Sequence, residues 1–300
     1  MCALTLFYCD DREFPLPNHH KFPLAKYRLL REALSEDVRF RFVRSPLAGR
    51  EDIVRIHEFE YVDKFLEGRL SAQAMRRIGF PWSPELVTRT LASTGGTLLA
   101  TEAALAYGFG GTLAGGTHHA FRGEGAGFCV FNDIAVAIAW AKERRGLRTF
   151  AVIDLDVHQG DGTASIFQAD PFVFTLSIHA ARNFPFRKQK SVLDIELADG
   201  AGDDEYLARL RGALPHVWSF EPELVFFQAG VDALATDRLG RLALTPEGLA
   251  CRDRIVISQT RQRQTPLVIT IGGGYSDPIE KTVAAHAQTF RIAAALCAIE

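Results

Sequence analysis

Residues 150–163 read FAVIDLDVHQGDGT, and they constrain the fold more than any other stretch of the chain. Phe150, Ala151, Val152, Ile153 and Leu155 are apolar or small, and Asp154 is the first charge. A short apolar run that ends in a glycine-rich turn reads as a strand buried on both faces. Asp154, Asp156 and His158 then occupy every second position. In an extended backbone, period two puts all three on one face. Two carboxylates and an imidazole at a buried strand end are costly unless a cation sits among them. That donor set suits zinc or a similar first-row ion. An ordinary strand ending in an acidic turn is the bland reading of the same residues, and the stretch by itself is compatible with both.

Other strands of this kind follow along the chain. Residues 3–9, the glycine-flanked segment before His118-His119, Phe172–His179, Leu224–Val231 and Leu267–Ile271 are short and apolar. Between them, helical periodicity covers residues 24–34, 51–67, 84–107, 133–142, 204–219, 246–262 and 278–299. Ser83 is placed to cap the third of these, with Pro84 at its first position. Gly95-Gly96 lies inside that helix at a cost of about 1 kcal/mol per glycine, which predicts close packing against a neighbour. His57 reads as a helix-terminus residue. His19-His20 sits in a proline-punctuated loop, where adjacent side chains point to different sides and make a poor metal pair. Residues 183–203 read as a long loop, with Arg187, Lys188 and Lys190 as a solvated basic face.

Strands alternating with helices predict an α/β fold, a parallel sheet covered by helices on both faces, built as one domain over residues 1–300. In such sheets ligands bind beyond the carboxyl ends of the strands. Those ends carry His118-His119, Asp154/Asp156/His158, Ser177/His179, Asp232 and Tyr275. One such residue would be unremarkable, but their collection at one end of one sheet is a functional signal.

Composition narrows the function. A formal net charge of −2 argues against a general nucleic-acid binder. No apolar run approaches the roughly 20 residues of a membrane span, and the first residues lack the pattern of a signal peptide. The five cysteines are widely spaced without a CxxC, which suits a reducing compartment and excludes a cysteine zinc site by spacing. Cys129 as a nucleophile is weaker than Cys129 as a buried structural thiol. The glycines after residue 108 have no GxxxxGK[ST] pattern, so phosphate binding is disfavoured.

GGTHHA (115–120), GFCVFND (127–133), DLDVHQGDG (154–162), FQAGVDALATDRLG (227–240) and GGGY (272–275) resemble, in order and spacing, the zinc-dependent histone deacetylase family. The resemblance spans essentially the whole chain and implies the arginase-type α/β fold. HQGDG and the early PLPNHHKFPLAKYRLL are most similar to the class IV branch and its bacterial relatives. Carried onto this sequence, the resemblance implies zinc, or ferrous iron, held by Asp156, His158 and Asp232. It implies that Asp154 orients His118, that Asp161 orients His119, and that His119 is the general base and acid with His118 its electrostatic partner. Tyr275 would donate to the oxyanion. Gly127, Phe128 and Phe184 would wall an acyl-lysine tunnel, and Leu239 would line the pocket. Asp154, Asp156, His158, Ser177 and Ile178 match a structural potassium site, and Phe167, Asp170 and Val173 resemble a second one.

The activity implied is removal of acetyl or longer fatty acyl groups from lysine side chains of a protein or peptide. An amidohydrolase for acetylpolyamines or other small acyl amines is the alternative, and a catalytically silent acyl-lysine-binding scaffold is a third reading. Arginase-like manganese chemistry would need further aspartates for a second metal. The absence of long basic tails favours a self-standing bacterial enzyme of the cytoplasm, with neither nucleic acid nor membrane as a direct partner; the oligomeric state is open.

Overall fold

The computed structural model describes residues 3–297. Cys2 and the expected helix end at Ile299 lie outside the described residues. Eight strands form one sheet: β1 (Leu4–Tyr8), β2 (Phe40–Arg44), β3 (Phe109–Thr112), β4 (Phe150–Asp154), β5 (Val173–Ala180), β6 (Leu193–Leu197), β7 (Leu224–Gln228) and β8 (Leu267–Thr270). Their order is β2-β1-β3-β8-β7-β4-β5-β6, and each neighbouring pair is parallel. The last residue of β4, Asp154, stands in register with Ser177 on β5 and Gln228 on β7, so the strand ends are level.

Period two sorts the strand side chains into two cores. Phe150, Val152, Phe226 and Val268 pack on one face, under α5 (Pro84–Tyr107) and α6 (Asp133–Arg145). Ala151, Ile153, Phe227 and Ile269 pack on the other, under α8 (Asp203–Ser219), α9 (Pro246–Gln262) and α10 (Ile279–Cys297). Phe226 and Phe227 are each fully buried, on opposite faces. Each contributes about 1.5–3 kcal/mol of apolar burial. Both faces are covered, as the unbroken apolar runs predict.

Helix ends, in a set that also includes α1 (Ala25–Ser35) and α7 (Asp161–Phe167), follow local chemistry. The Ser83 hydroxyl accepts the Leu86 amide at 3.1 Å, Pro84 opens α5, and Gly108 ends it with φ +81°. The glycine pair inside α5 packs as tightly as expected. A Cβ at Gly95 would stand 2.2 Å from the Pro46 carbonyl, and one at Gly96 2.5 Å from Ser45 Oγ. No helix among the described residues is long and apolar enough to cross a membrane.

Three expectations are corrected. The helix expected over residues 51–67 is two helices, α2 (Arg50–Ile53) and α3 (Phe59–Leu66). His57 lies in the break between them, buried, with Nε2 accepting the Asn132 amide at 2.8 Å. That bond anchors the loop entering α6, so His57 is an internal strut and not a helix terminus. Residues 183–203 are not all loop, because Leu193–Leu197 forms the edge strand β6. Its Leu-Asp-Ile-Glu-Leu alternation is the signature of a half-exposed strand. The strand β2 and the short helix α4 (Ala72–Ile78) were not anticipated, although Ser71 caps α4 by accepting the Ala74 amide.

Candidate active site

Beyond Asp154 the strand gives way to loop, yet the alternating residues still converge. Asp156, His158 and Asp232 offer ligand atoms that all lie within 4.8 Å of one another. His158 Nδ1 stands 3.0 Å from Asp156 Oδ1 and 3.1 Å from Asp232 Oδ2. Backbone amides pin both carboxylates. The Val157 amide donates to Asp232 Oδ1 at 2.9 Å, and the Gly273 amide donates to Asp156 Oδ2 at 2.7 Å. Gly273 tolerates no side chain, since its Cβ would stand 1.9 Å from Asp232 Oδ2.

Electrostatics show what this cluster needs. Burial alone would lower the His158 pKa, but its bonds to Asp156 and Asp232 outweigh burial and hold it up at about 10. Burial, then the charge of Asp156, raises Asp232 to about 7. His158 and Asp232, packed out of water beside an Asp156 that its neighbours hold well below the usual carboxylate range, thus retain protons in place of a cation, and the donor set of two oxygens and one nitrogen fits a divalent first-row metal. Asp156, His158 and Asp232 are the one such three-residue cluster among the described residues, and neither His19 nor His20 belongs to it. His20 instead has Nε2 2.8 Å from the Gly79 carbonyl.

Next to this cluster stand two His–Asp pairs. His118 Nδ1 donates to Asp154 Oδ2 at 2.7 Å, and His119 Nδ1 donates to Asp161 Oδ1 at 2.6 Å. The two imidazoles lie 4.1 Å apart, centre to centre. Burial opposes charge on His118, yet the carboxylates of Asp154 and Asp156 raise it to about 9. Burial and then the His118 charge lower His119 to about 4. The pair therefore presents one charged and one neutral imidazole.

A cavity of about 560 Å³ opens onto these groups, lined also by Gly127, Phe128, Phe184, Leu239 and Tyr275. The Phe184 ring packs edge-on against His119 at 4.9 Å. Phe128 has φ +66° and lies 6.4 Å from the Tyr275 ring. The Tyr275 hydroxyl has no hydrogen-bond partner among the described residues. Cys129 also lines the cavity, but burial raises its thiol well above the usual range, so it is no thiolate nucleophile.

Ser177 Oγ lies 2.9 Å from His179 Nδ1, next to Asp154 in the sheet, with Ile178 between them in sequence. At the other end of β5, the Asp170 amide donates to the Phe167 carbonyl and the Val173 amide to the Asp170 carbonyl. Asp170 Oδ2 accepts Lys142 Nζ at 2.5 Å, so a side-chain cation already faces that carboxylate.

Several supports escaped sequence reasoning. Asp237 accepts the amides of Leu239, Gly240 and Tyr275, and so sets where Tyr275 begins. Asp133 accepts the amides of Gly116 and Thr117 and shapes the loop before the histidines. Asn183 donates to the Leu239 carbonyl at 2.6 Å. Lys26, fully buried, donates to the Gly272 carbonyl at 2.8 Å. Arg252, also fully buried, donates to the carbonyls of Leu155 and Gly230. Asp133 and Asp237 lay inside recognised motifs, where only their partners were hidden. Lys26 also lies inside a quoted segment, PLPNHHKFPLAKYRLL, on α1 (Ala25–Ser35), whereas Arg252 sits on α9 outside every quoted motif.

Comparison with known proteins agrees with this picture. The histone deacetylase domain matches residues 18–290. An uncharacterized protein of the cyanobacterium Picosynechococcus is 45% identical over 97% of this chain and 98% of its own length. Histone deacetylase 2 of Arabidopsis thaliana is 31% identical over 79% of this chain and 64% of its own. A histone deacetylase-like amidohydrolase of Pseudomonas aeruginosa is 31% identical over 86% of this chain and 73% of its own. With the parallel eight-stranded sheet and the ligand cluster at its carboxyl end, these matches establish that the chain belongs to the histone deacetylase family.

Proposed function

We propose that this chain is a zinc-dependent amidohydrolase that removes acyl groups from lysine side chains, of the class IV type. The observation that carries the reading is one cavity lined by Asp156 and His158 of a buried Asp-His-Asp cluster, by a charged and a neutral imidazole, and by a tyrosine whose hydroxyl has no partner among the described residues. Asp156, His158 and Asp232 would hold the metal. A divalent ion bound there supplies a Lewis acid for the amide carbonyl and lowers the pKa of a nearby water.

Every other part of the reaction falls to side chains. Asp161 keeps the proton on His119 Nδ1 and leaves Nε2 free to accept one. His119 takes the proton of the attacking water and returns it to the leaving amine as the C–N bond breaks. His118, held by Asp154, keeps a positive charge beside the developing negative one. Tyr275 donates its hydroxyl to the carbonyl oxygen as it becomes an oxyanion. Phe128 and Phe184 exclude water from the tunnel through which the acyl-lysine arm enters. The first potassium site would be formed at Asp154, Asp156, His158, Ser177 and Ile178, and a second near Phe167, Asp170 and Val173 beside Lys142. The described cysteines are all unpaired, which supports a reducing compartment, the cytoplasm.

The test is a hydrolysis panel with zinc-loaded protein on acetyl-lysine and myristoyl-lysine peptides and acetylspermidine, each with and without a hydroxamate. Peptide turnover that hydroxamate blocks, that a chelator abolishes and that zinc restores is the expected result. Turnover of acetylspermidine alone, or no turnover with zinc bound, would overturn the reading.

A further inference from the structure

The whole chain carries 34 basic and 36 acidic residues, yet the mouth of the active-site cavity is one-signed. Lys21, Arg76, Arg77, Arg182 and Arg241 all line it and are all exposed. Among the described residues, the only carboxylate in the cavity lining is the buried Asp156. Arg77 pairs with Glu124 and Arg241 with Asp199, both on the surface, where such pairs contribute little. Lys21, Arg76 and Arg182 form no ion pair among the described residues. These cations come from separate segments: the proline-punctuated loop, the end of α4, the β5–β6 loop and the segment between β7 and α9. Phe186, 88% exposed, stands among them at the same mouth.

Resting on the deacylase reading above, we infer that the enzyme selects acyl-lysines lying in acidic peptide segments. A cluster built for one phosphate would gather its cations on one loop or helix end. Here they are distributed around an opening, as suits an extended chain that crosses the mouth with its acyl-lysine inserted. Aspartate and glutamate on either side of that lysine meet arginine, which pairs with carboxylates through its planar fork. Phe186 offers the backbone an apolar contact. The same collar repels a substrate with ammonium groups near its amide, so polyamines and basic peptides are disfavoured.

The test uses three peptides with one central residue and acidic, neutral or basic flanks. In one series the central residue is acetyl-lysine. In the other it is a methyl ketone isostere, which binds but cannot be hydrolysed. Dissociation constants for the ketones and kcat/KM for the amides are measured on the zinc-loaded full chain at low salt and at about 0.5 M salt, where the screening length falls to about 4 Å. The acidic peptide is expected to bind about tenfold or more tightly than the basic one at low salt, with the gap closing at high salt. Arg76→Glu/Arg182→Glu should reverse the order and leave kcat on the neutral peptide unchanged.

A flat or basic-first order, a preference that salt and the charge reversal leave alone, or no binding at all would overturn the inference. Acidic-first ketone binding without hydrolysis of any amide would uphold it and overturn the deacylase reading instead.

Discussion

Arg252→Met is the perturbation that best separates stability from metal binding. Arg252 is completely buried on α9, and its Nε donates to Asp253 Oδ1 at 2.8 Å. One of its terminal nitrogens donates to the Leu155 carbonyl at 3.1 Å and to the Gly230 carbonyl at 2.6 Å. Leu155 precedes Asp156, and Gly230 lies two residues before Asp232. One buried cation thus ties together the two backbone segments that carry Asp156 and Asp232, the proposed carboxylate ligands.

Methionine keeps most of the apolar stem but leaves the Asp253 carboxylate buried with Thr289, at 2.6 Å, as its one side-chain donor among the described residues. Removing one partner of a buried ion pair costs about 3–5 kcal/mol, a large share of a typical domain's stability of about 5–15 kcal/mol. Adding Asp253→Leu removes the stranded charge and should return most of that loss. The two carbonyls remain without their donor, at about 1 kcal/mol each. With the ligand segments no longer tied, zinc affinity in the double variant should fall about 10–100-fold, as for other supports of metal ligands. Urea unfolding of the metal-free chain and zinc titration against a chromophoric chelator read the two effects separately. A single variant that loses less than about 1 kcal/mol would refute the ion-pair argument. A double variant with stability restored and wild-type zinc affinity would refute the positioning argument.

Tyr275→Phe should lower kcat by about 10²–10³ with metal content unchanged, because it removes a donor to the oxyanion and no ligand; near-normal turnover would take Tyr275 out of the reaction. Asp232→Ala should purify without stoichiometric zinc by elemental analysis, and unchanged zinc would show the ligand to be misassigned. His57 supplies an acid-sensitive strut: burial lowers its pKa from 6.5 to about 4, so the folded protein keeps it neutral. The unfolded chain binds that proton first, so the contribution of His57 is intact above pH 6.5 and fades as pH falls toward 4. At pH 5 about 2 kcal/mol is lost through this residue. His57→Gln, which can still accept the Asn132 amide, should flatten the fall in urea midpoint between pH 7 and 5, and an unchanged fall would assign the sensitivity elsewhere.

The sheet was legible because strands buried on both faces are apolar through most of their length and carry no charge before their last residues. FAVID, FVFTLSIH and LVFFQ each announce themselves in this way. The half-exposed edge strand β6 was missed for the converse reason: its alternating acids read as loop. At the site, the sequence places Asp156, His158 and Asp232 at strand ends, and parallel topology suffices to bring strand ends together. What sequence does not carry is which backbone group a side chain meets. Asp237 reaches the Tyr275 amide across 38 positions, and Arg252 reaches the Leu155 carbonyl across 97. Such bonds depend on the finished packing of α9 and the final loops. His57 failed for a similar reason, since the break that turns it inward is set by its bond to Asn132, 75 residues away.

The distribution of charge through the cavity bears on which acyl amines suit it. Deep inside, Asp154, Asp156, Asp161 and Asp232 are all buried, and they are balanced by the histidines, by Lys26 and, on the proposed reading, by the metal. The outer mouth carries the cations described above. On the proposed reading, an acylated lysine enters as a neutral amide and meets no charge penalty in crossing that collar. Hydrolysis converts it into an ammonium ion directly beneath the same collar. The product is then repelled where the substrate was not, so the cationic mouth favours release of the deacylated chain while acidic flanks favour capture of the acylated one. A polyamine substrate gains no such asymmetry, because it carries its ammonium groups on the way in as well as on the way out. If the collar works in this way, raising salt should weaken the capture of acidic peptides and strengthen product inhibition by a free-lysine peptide with neutral flanks. Product inhibition that weakens with salt would show that the mouth attracts the ammonium and would refute the argument.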